Sequence, residues 1–319
     1  MNQPESPLVS LRGLPETQKA KAKRPERPPW LRIKVQNTNT YNDVRKLLRD
    51  LNLTTVCEEA RCPNIWECWG QHKTATFMIL GEVCTRACRY CSVTSGRPPA
   101  PPDPSEPEHV AEAVERLDIW HAVITSVDRD DLDDYGSQHF VDVIEAVRRR
   151  RPECAVEVLT PDFMGDPESL ERVFAARPDV FNHNTETVPS LFRKLRSKGN
   201  YARVLEIFRH ADRYRREHSL AMTTKSGIIC GMGETMDEIY QVMDDLKEAG
   251  CDVLTFGQYL RPTNSKIHVP IERYYTPEEF DHLRDEGLKR GFAHVESGPM
   301  VRSSYHAHQH VPAGSPAAR

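Results

Sequence analysis

The cysteines are the residues of this chain whose number and spacing most clearly point to chemistry. Six of the nine fall into two groups of three: an upstream trio, Cys57, Cys62 and Cys68, and a downstream trio, Cys84, Cys88 and Cys91. Thiolates favour zinc, copper(I) or iron–sulfur clusters, and paired thiols form disulfides. A structural zinc site needs four ligands, whereas each trio offers three and no evident fourth. Three thiolates suit a four-iron cluster that keeps one iron open, so iron–sulfur chemistry is favoured and zinc is the main alternative.

The amino-acid composition indicates what class of protein carries these cysteines. The chain has 319 residues, 38% hydrophobic and 28% charged, with a formal net charge of −4. These values predict a soluble globular protein and give no electrostatic case for nucleic acid. No apolar run approaches the roughly 20 residues of a membrane helix. The N-terminus lacks an apolar secretory segment, and Glu5, Glu16 and Glu26 argue against a transit peptide. We therefore expect a reducing compartment, the cytoplasm, in which cysteines bind metal rather than pair as disulfides.

The chain divides into four predicted parts, in order: a disordered, proline-rich tail at 1–29, an N-terminal extension at 30–72, a catalytic unit at 73–298 and a C-terminal segment at 299–319. Within the extension, the apolar spacing predicts a helix from Tyr41 to Leu51. Pro63 and Gly70 predict irregular loop around the upstream trio. Histidines at His306, His308 and His310 are expected to form a solvated tail.

An alternation of strands and helices fills the catalytic unit. The strand candidates are Thr74–Leu80, Ala122–Val127, Ala155–Leu159, Asp179–Asn182, Thr223–Ile229, Val253–Phe256 and a final Phe292–Glu296. Helical patterns follow the first six, the last running from Pro277 to Lys289. Ser105–Glu108 and Thr276–Glu279 read as capping boxes. Six strand–helix units predict a parallel α/β sheet with helices outside, whose functional loops follow the carboxyl ends of the strands.

The downstream trio, with Tyr90 as the aromatic residue before Cys91, resembles the cluster loop of radical S-adenosylmethionine (SAM) enzymes. The wider pattern is similar to one member family, lipoyl synthase. The segments that carry this resemblance are Val56–Asn64 with the upstream trio, Asn182–Thr187, Gly257–Leu260 and Arg302–Tyr305. The resemblance spans about Cys57 to His306 and implies a partial (β/α)6 barrel of the TIM type, with an auxiliary cluster on its two extensions. Asp134–Ser137 and Asn264–His268 depart from the family pattern and leave substrate-loop details open.

The resemblance also implies the cofactors, two [4Fe-4S] clusters and SAM. The downstream trio would hold the cluster that chelates SAM and reduces it to a hydrogen-abstracting radical. The upstream trio would hold an auxiliary cluster that supplies sulfur. The fourth ligand of that cluster would be a serine oxygen, carried over to Ser304, with Ser303 as the neighbouring alternative.

Seven residues are candidates for contacting SAM: Tyr90, Thr125, Ser126, Asn182, Glu186, Gly231 and Glu234. Tyr90 lies in the cluster loop, and Thr125, Ser126, Asn182 and Glu186 lie at or just beyond the ends of predicted strands. Gly231 and Glu234 fit a G-x-I-x-G-x-x-E pattern of such barrels. Each has an ordinary alternative, because loop capping, packing or a glycine turn would also explain these residues.

The implied activity is a sulfurtransferase of lipoate biosynthesis and protein lipoylation, which inserts sulfur at C6 and C8 of an octanoyl group on a lysine. The implied partners are octanoylated lipoyl domains of 2-oxo-acid dehydrogenase subunits and the glycine cleavage H protein, an electron donor and an iron–sulfur carrier for cluster repair. Neither nucleic acid nor membrane is expected as a partner. Two other classes remain open: a sulfur-inserting enzyme like biotin synthase, and a non-enzymatic iron–sulfur electron carrier.

Apart from Lys225, for which an active-site role stays open, the remaining polar and cysteine residues predict no further chemistry. No Ser/His/Asp set or paired carboxylates support acid–base hydrolysis, so no acid–base catalyst is expected. Cys154, Cys230 and Cys251 lack partner spacing and are predicted to be buried packing residues. Lys225, inside a predicted strand, must reach the barrel lumen or its rim.

Overall fold

Seven parallel strands form the main sheet of the described chain. The computed structural model describes residues 26–32, 38–72, 75–196, 198–305 and 307. The strands are β1 (Thr76–Ile79), β2 (His121–Ser126), β3 (Ala155–Leu159), β4 (Val180–Asn182), β5 (Thr223–Cys230), β6 (Val253–Gln258) and β7 (His294–Gly298). Their order in the sheet follows their order in the chain, and every neighbouring pair is parallel. β1 and β7 are the two edges, so the sheet is the predicted partial barrel.

Helices connect the strands and cover the outside of the sheet. They are α1 (Asn39–Asp50) before β1, then α2 (Glu106–Arg116), α3 (Ser137–Arg150), α4 (Pro167–Ala175), α5 (Pro189–Leu195), α6 (Tyr201–Glu217), α7 (Met236–Glu248) and α8 (Pro277–Lys289). Each long helix buries one stripe; on α7 the stripe is Ile239, Val242, Met243 and Leu246. This spacing of three and four residues places apolar side chains on one helical face. Across the described ranges, none of the helices is long and apolar enough to span a membrane.

Several predicted bounds agree closely with the structure. Ala155–Leu159 and Pro277–Lys289 have the predicted limits. The capping box at Thr276 is present, because its hydroxyl accepts from the Glu279 N–H and the Glu279 carboxylate accepts from the Thr276 N–H. The α1 helix begins two residues earlier than predicted, with Thr38 as its N-cap.

The capping box predicted at Ser105 is wrong. The Ser105 side chain makes no cap and bonds to Asp103 instead. Glu106 turns inward, where its Oε2 accepts from the Leu80 N–H at 2.9 Å and lies 2.6 Å from His139 Nε2. The glutamate of the predicted box, Glu108, pairs instead with Arg149 and Arg150 of α3, so tertiary partners have replaced the local one.

The upstream trio also lies in more regular structure than predicted. Short helical turns at Val56–Glu59 and Ile65–Glu67, and a π-type turn at Cys68–His72, replace the expected loop. Likewise α7 begins at Met236 rather than Glu234, because Thr235 is its N-cap and forms a capping box with Glu238.

A buried polar cluster occupies the barrel lumen. Lys225 Nζ donates to Glu157 Oε1 at 2.8 Å, and Asn182 Nδ2 donates to the same oxygen at 3.0 Å. His121 Nε2 lies 3.3 Å from Glu157 Oε2. Burial lowers the pKa of Lys225, and Glu157 opposes that fall. Lys225 therefore reaches the lumen, where it is paired with a carboxylate.

Two predictions lie outside the described residues. The predicted disordered tail covers 1–29, of which 1–25 are not described, and His306, His308 and His310 are also outside the described part. The four domain boundaries stay predictions, although β1 and β7 fall within the predicted unit at 73–298.

Candidate active site

A cavity of about 430 Å³ opens at the carboxyl ends of the strands. Its walls combine strand ends, both cysteine segments and the chain end after β7. The strand-end residues that line it lie at 125–128, 159–161, 183–184, 186, 227–229, 255 and 257–262. Parallel barrels gather function at this face, because the loops after all strands meet there.

The downstream trio lies on one wall of this cavity. Cys84, Cys88 and Cys91 all line it. Val83–Cys84 pairs in parallel with Thr94–Ser95, which closes the loop, and the Cys91 N–H donates to the Cys88 carbonyl at 3.1 Å. Burial raises the pKa of Cys84 to about 12 and that of Cys91 to about 11. Thiols with such pKa values are protonated near neutral pH, and a bound cation would be needed to hold them as thiolates.

The upstream trio approaches the same cavity from the outer edge of β1. The Met78 N–H donates to the Thr54 carbonyl at 2.9 Å, which holds this segment against the strand. Cys57 and Cys62 line the cavity, and Cys68 does not. Burial, together with the charges of Cys62 and Cys68, raises the pKa of Cys57 to about 12. The Cys57 thiol therefore lies within electrostatic reach of both other cysteines of its trio.

The C-terminal segment crosses the interior after β7. Asn64 Nδ2 donates to the Met300 carbonyl at 2.8 Å, and Tyr305 OH donates to Glu67 Oε1 at 3.3 Å. A Cβ at position 257 would lie 2.2 Å from the Val301 carbonyl oxygen, so only glycine fits beneath the segment. These contacts join the two ends of the described chain.

Ser303 and Ser304 both line the cavity but have different partners. Ser304 Oγ accepts from Thr76 Oγ1 at 2.9 Å, and the backbone of Thr76 also hydrogen-bonds to Cys57. Ser303 Oγ accepts from Asn184 Nδ2 at 2.7 Å, beyond the end of β4. Ser304 thus lies on the upstream-trio side of the cavity and Ser303 on the β4 side.

Four of the seven SAM candidates meet in the cavity, namely Tyr90, Thr125, Ser126 and Glu186. Thr125 Oγ1 donates to the Leu159 carbonyl at 2.8 Å. Glu186 has φ 67°, a strained conformation for a residue other than glycine. Burial raises the pKa of Glu186, and the Arg196 guanidinium opposes that rise.

The structure does not bring the other three candidates to the cavity wall. Asn182 bonds to Glu157 in the lumen. The Glu234 carboxylate accepts from the N–H groups of Gly231 and Met232, which stabilises the turn after β5. The turn has a conformation for which glycine is suited, since Gly231 has φ 107°.

Several lining residues were missed by sequence reasoning. Arg196 is the C-cap residue of α5. Its guanidinium donates to the carbonyls of Asn184 and Thr185 at 2.8 and 3.2 Å. Arg86 lies within the cysteine loop and is buried. Neither arginine belongs to a periodic sequence pattern, because each lies in a loop or at a helix end. The only signal in the sequence is the position of Arg86 between two cysteines, which could have identified it as a site residue.

The described residues fit a polar ligand in this cavity. The lining atoms Ser126 Oγ, Thr160 Oγ1, His183 Nε2 and Asn184 Oδ1 are buried and have no hydrogen-bond partner in the described structure. Buried polar atoms are nearly always paired, so these four call for a ligand with donors and acceptors. The amino, carboxylate and ribose groups of SAM supply both.

Each cysteine trio offers three thiols, which suits a four-iron cluster that keeps one iron open, whereas a structural zinc site takes four protein ligands. Burial raises the pKa of five of these thiols, which favours binding of a positively charged group; they are Cys57, Cys62, Cys84, Cys88 and Cys91.

Comparison with known proteins identifies the family. Residues 78–246 match the radical SAM superfamily, and residues 10–62 match the N-terminal domain of lipoyl synthase of that family. The lipoyl synthase of Rubrobacter xylanophilus is 53% identical over 283 residues, which cover 89% of this chain and 86% of that protein. The chain belongs to the lipoyl synthase family. The lipoyl synthase of Symbiobacterium thermophilum is similar too, at 51% identity over 301 residues, 94% of this chain and 91% of that one.

Solved structures agree on the fold. Methylornithine synthase (PylB) superposes with a TM-score of 0.51 over 82% of each chain, at 14% identity. Such low identity is evidence for the fold alone. Membership of the lipoyl synthase family makes this chain a radical SAM enzyme, with [4Fe-4S] clusters and SAM as cofactors. It also decides against the two other classes, a biotin-synthase-like enzyme and an electron carrier.

Proposed function

We propose that the cavity is where this lipoyl synthase inserts sulfur at C6 and C8 of an octanoyl group carried on a lysine. One observation carries the proposal. Five of the six trio cysteines and both C-terminal serines line a single cavity of about 430 Å³. Sulfur insertion needs the SAM site and the sulfur source to face the same carbon chain, and a shared cavity supports that arrangement.

In this proposal each trio holds one cluster. Cys84, Cys88 and Cys91 would bind the cluster that meets SAM; Cys57, Cys62 and Cys68 would bind the auxiliary one. When bound, the first cluster supplies an electron for cleaving SAM and the second supplies sulfur. The residues around them bind, orient and exclude water.

Ser304 is proposed as the oxygen ligand on the auxiliary side. Its partner Thr76 also bonds to Cys57, which supports a place beside that trio. Ser303, held by Asn184, is the weaker candidate.

SAM is proposed to lie against Tyr90, Thr125, Ser126 and Glu186. Unpartnered atoms at Ser126, Thr160, His183 and Asn184 support a polar ligand on this side. Asn182, Gly231 and Glu234 remain predictions without that support, because they lie off the cavity wall and already have partners within the protein.

The octanoyl chain is proposed to lie along the apolar part of the wall. The apolar side chains that line the cavity near both trios are Val56, Met78, Val93, Leu260 and Val301. An eight-carbon chain gains roughly 0.8 kcal/mol for each methylene that leaves water, so this wall would hold the substrate without polar contacts.

The parts of the chain outside the barrel are proposed to complete the site. The extension at 38–72 brings the upstream trio, and the segment after Pro299 covers it. The Asn64–Met300 and Tyr305–Glu67 hydrogen bonds, which connect these two parts of the chain, support this assignment.

The family implies action on octanoylated lipoyl-domain proteins. We propose dehydrogenase lipoyl domains and the glycine cleavage H protein as carriers, with a low-potential electron donor and an iron–sulfur carrier as helpers. Octanoylated versions of each carrier, offered in equal amounts, would rank them by rate. Equal rates with a free octanoyl-lysine peptide would argue against carrier recognition.

The cytoplasm is the proposed compartment. All nine cysteines are free, which agrees with a reducing environment. Fractionation of cells that express a tagged chain tests the proposal, and a tag in any other fraction would contradict it.

The function is tested by anaerobic incubation of cluster-loaded protein with dithionite, SAM and an octanoyl-lysine peptide. The expected product gains two sulfur atoms by mass, and methionine appears from SAM. Cys84→Ala should abolish both, whereas Cys57→Ala should keep SAM cleavage and lose sulfur insertion. Cys251→Ala, at a buried cysteine outside the cavity, is the matched control and should form lipoyl product. Sulfur insertion by the Cys57→Ala variant would overturn the assignment of the two trios.

A further inference from the structure

Arg86 is the side chain inside the cysteine loop that makes the most ionic contacts. It lies between Cys84 and Cys88 but is only 5% exposed. Its guanidinium meets three carboxylates: Asp130 at 2.7 Å, Asp162 at 2.6 Å and Asp128 at 3.2 Å. These aspartates come from the loops after β2 and β3, so Arg86 ties the cysteine loop to two strand ends.

The three carboxylates differ in their other partners. Asp130 also bonds to Lys198 at 3.1 Å, and Asp162 also bonds to Arg203 at 2.8 Å. Within the described part of the chain, Asp128 forms its ion pair with Arg86 alone. Removing Arg86 would therefore leave Asp130 and Asp162 with a cation each, and Asp128 with none in contact.

Asp128 is also the carboxylate that touches a cysteine. Its Oδ2 lies 3.5 Å from Cys84 Sγ and accepts from the thiol, while its Oδ1 faces Arg86. The N–H groups of Arg86 and Asp128 each donate to Cys84 Sγ at 3.4 Å. Once Cys84 binds iron as a thiolate, its proton is gone and the sulfur faces a carboxylate. Two negative charges this close in a buried site repel strongly unless a cation compensates.

We propose that Arg86 is a positioning residue that neutralises Asp128 beside the cluster on Cys84, Cys88 and Cys91. This inference rests on the proposed function, because it takes that trio as the ligands of the SAM-binding cluster. Reduction adds negative charge to a cluster, and an uncompensated carboxylate in contact with a ligand opposes it. Arg86 therefore keeps this cluster reducible. Its guanidinium also holds the cysteine loop against the ends of β2 and β3 through several hydrogen bonds.

The test is a potentiometric titration of the SAM-binding cluster, followed by electron paramagnetic resonance. In Arg86→Gln, the ratio of reduced to oxidised cluster at a fixed potential should fall about tenfold, which is about 60 mV for one electron. Arg86→Lys keeps the positive charge and should restore most of the parental ratio. The recovery should be incomplete, because one ammonium group cannot make the planar, multidentate contacts of a guanidinium. Asp128→Asn should shift the ratio the other way, and Arg86→Gln/Asp128→Asn should return it toward the parental value.

Arg89→Gln is the matched control in the same loop. Arg89 is exposed and donates to the carbonyls of Lys266 and Ile267, so solvent screens its charge. Its removal should change the ratio less than about twofold.

The outcomes separate this inference from the function on which it rests. Parental protein that assembles no cluster on the downstream trio would overturn the proposed function. A normal parental cluster with unchanged ratios in both Arg86→Gln and Asp128→Asn would overturn the role of Arg86 alone. If Arg86→Gln does not fold, Asp128→Asn decides: a ratio equal to the parental one refutes the proposal.

Discussion

Ser303 and Ser304 are adjacent in sequence but contact opposite sides of the cavity. Because Ser304 shares Thr76 with Cys57, we expect Ser304→Ala to lower the iron and the signal of the auxiliary cluster. SAM cleavage should be kept and sulfur insertion should fall by about tenfold or more, as expected when a metal loses a ligand. Iron analysis, resonance spectra and product mass measure the three effects.

Ser303→Ala is the matched control for that change. It removes a hydroxyl bonded to Asn184, so it should leave the iron content unchanged and affect SAM affinity instead. A parental rate of lipoyl formation in Ser304→Ala, with damage in Ser303→Ala, would move the ligand to the other serine.

The burial of His183 predicts that the free energy of unfolding depends on pH in the acid range. Burial, together with the charge of Arg196, lowers the pKa of His183 to about 4. The unfolded histidine titrates near 6.5, so between about pH 6.5 and pH 4 the unfolded state binds the extra proton. Stability should therefore fall as pH falls through this range, by up to about 3 kcal/mol.

Urea unfolding of the apo protein at pH 7, 5.5 and 4.5 measures this loss. In His183→Asn the Nδ2 group takes the place of the His183 Nδ1 that bonds to the Thr160 carbonyl, and the pH dependence should be flatter. His282→Gln, at an exposed histidine, should keep the parental slope. Equal slopes in all three proteins would contradict the role of His183.

At the scale of elements, the sheet was predictable because strands and helices alternate with clear periods. The Thr276 capping box is local in sequence, and the structure contains it. The box at Ser105 is absent because the Ser105 N–H and hydroxyl both bond to Asp103, and the glutamate of the box, Glu108, pairs with Arg149 of α3, 41 residues away. Local patterns carry no information about such partners.

The site was predictable to the extent that motif residues are anchored by strands. Thr125 and Ser126 end β2 and reach the cavity. Asn182 ends β4, yet its side chain turns to the lumen, because Glu157 on β3 is there to receive it. Arg86 and Arg196 lie in loops or at helix ends, where sequence gives no orientation.

The passage of the C-terminal segment over β6 makes a testable contact between elements. In Gly257→Ala the new Cβ would meet the Val301 carbonyl at 2.2 Å and Arg302 Nη1 at 3.2 Å. Neither the strand nor the backbone above it can yield without moving the segment. We expect a loss of about 1–3 kcal/mol in unfolding free energy, together with lower auxiliary-cluster iron.

Gly96→Ala is the comparison for this variant. A Cβ there would meet only Val83 Cγ1, at an ordinary 3.5 Å. Its stability and iron content should stay near parental values. A Gly257→Ala protein that unfolds at the parental urea concentration with full iron would show that the segment does not rest on β6.

At the scale of the whole molecule, the barrel supplies one trio and the two chain ends supply the other ligands. The ends meet through Asn64 and Met300 and through Glu67 and Tyr305, and Ser304 also bonds to Thr76 at the start of β1. Asn64 and Met300 are 236 residues apart, so the auxiliary site needs the folded barrel to bring the two ends together. The downstream trio lies between β1 and α2 and does not depend on this closure.

Truncation after Pro299 should therefore separate the two cluster sites. It removes Ser304 and the cover over the upstream trio, while the downstream trio keeps its contacts with Asp128 and the Thr94–Ser95 strand. Iron after anaerobic reconstitution should fall from about eight to about four per chain, since a four-iron cluster would be lost. SAM cleavage should persist, because its cluster is intact, whereas lipoyl formation should stop. A second truncation after Ala307 leaves every one of these contacts in place and should keep all of its iron. Loss of both clusters in the first truncation would mean that the two sites fold as one unit, and full iron there would mean that the C-terminal segment is no part of the auxiliary site.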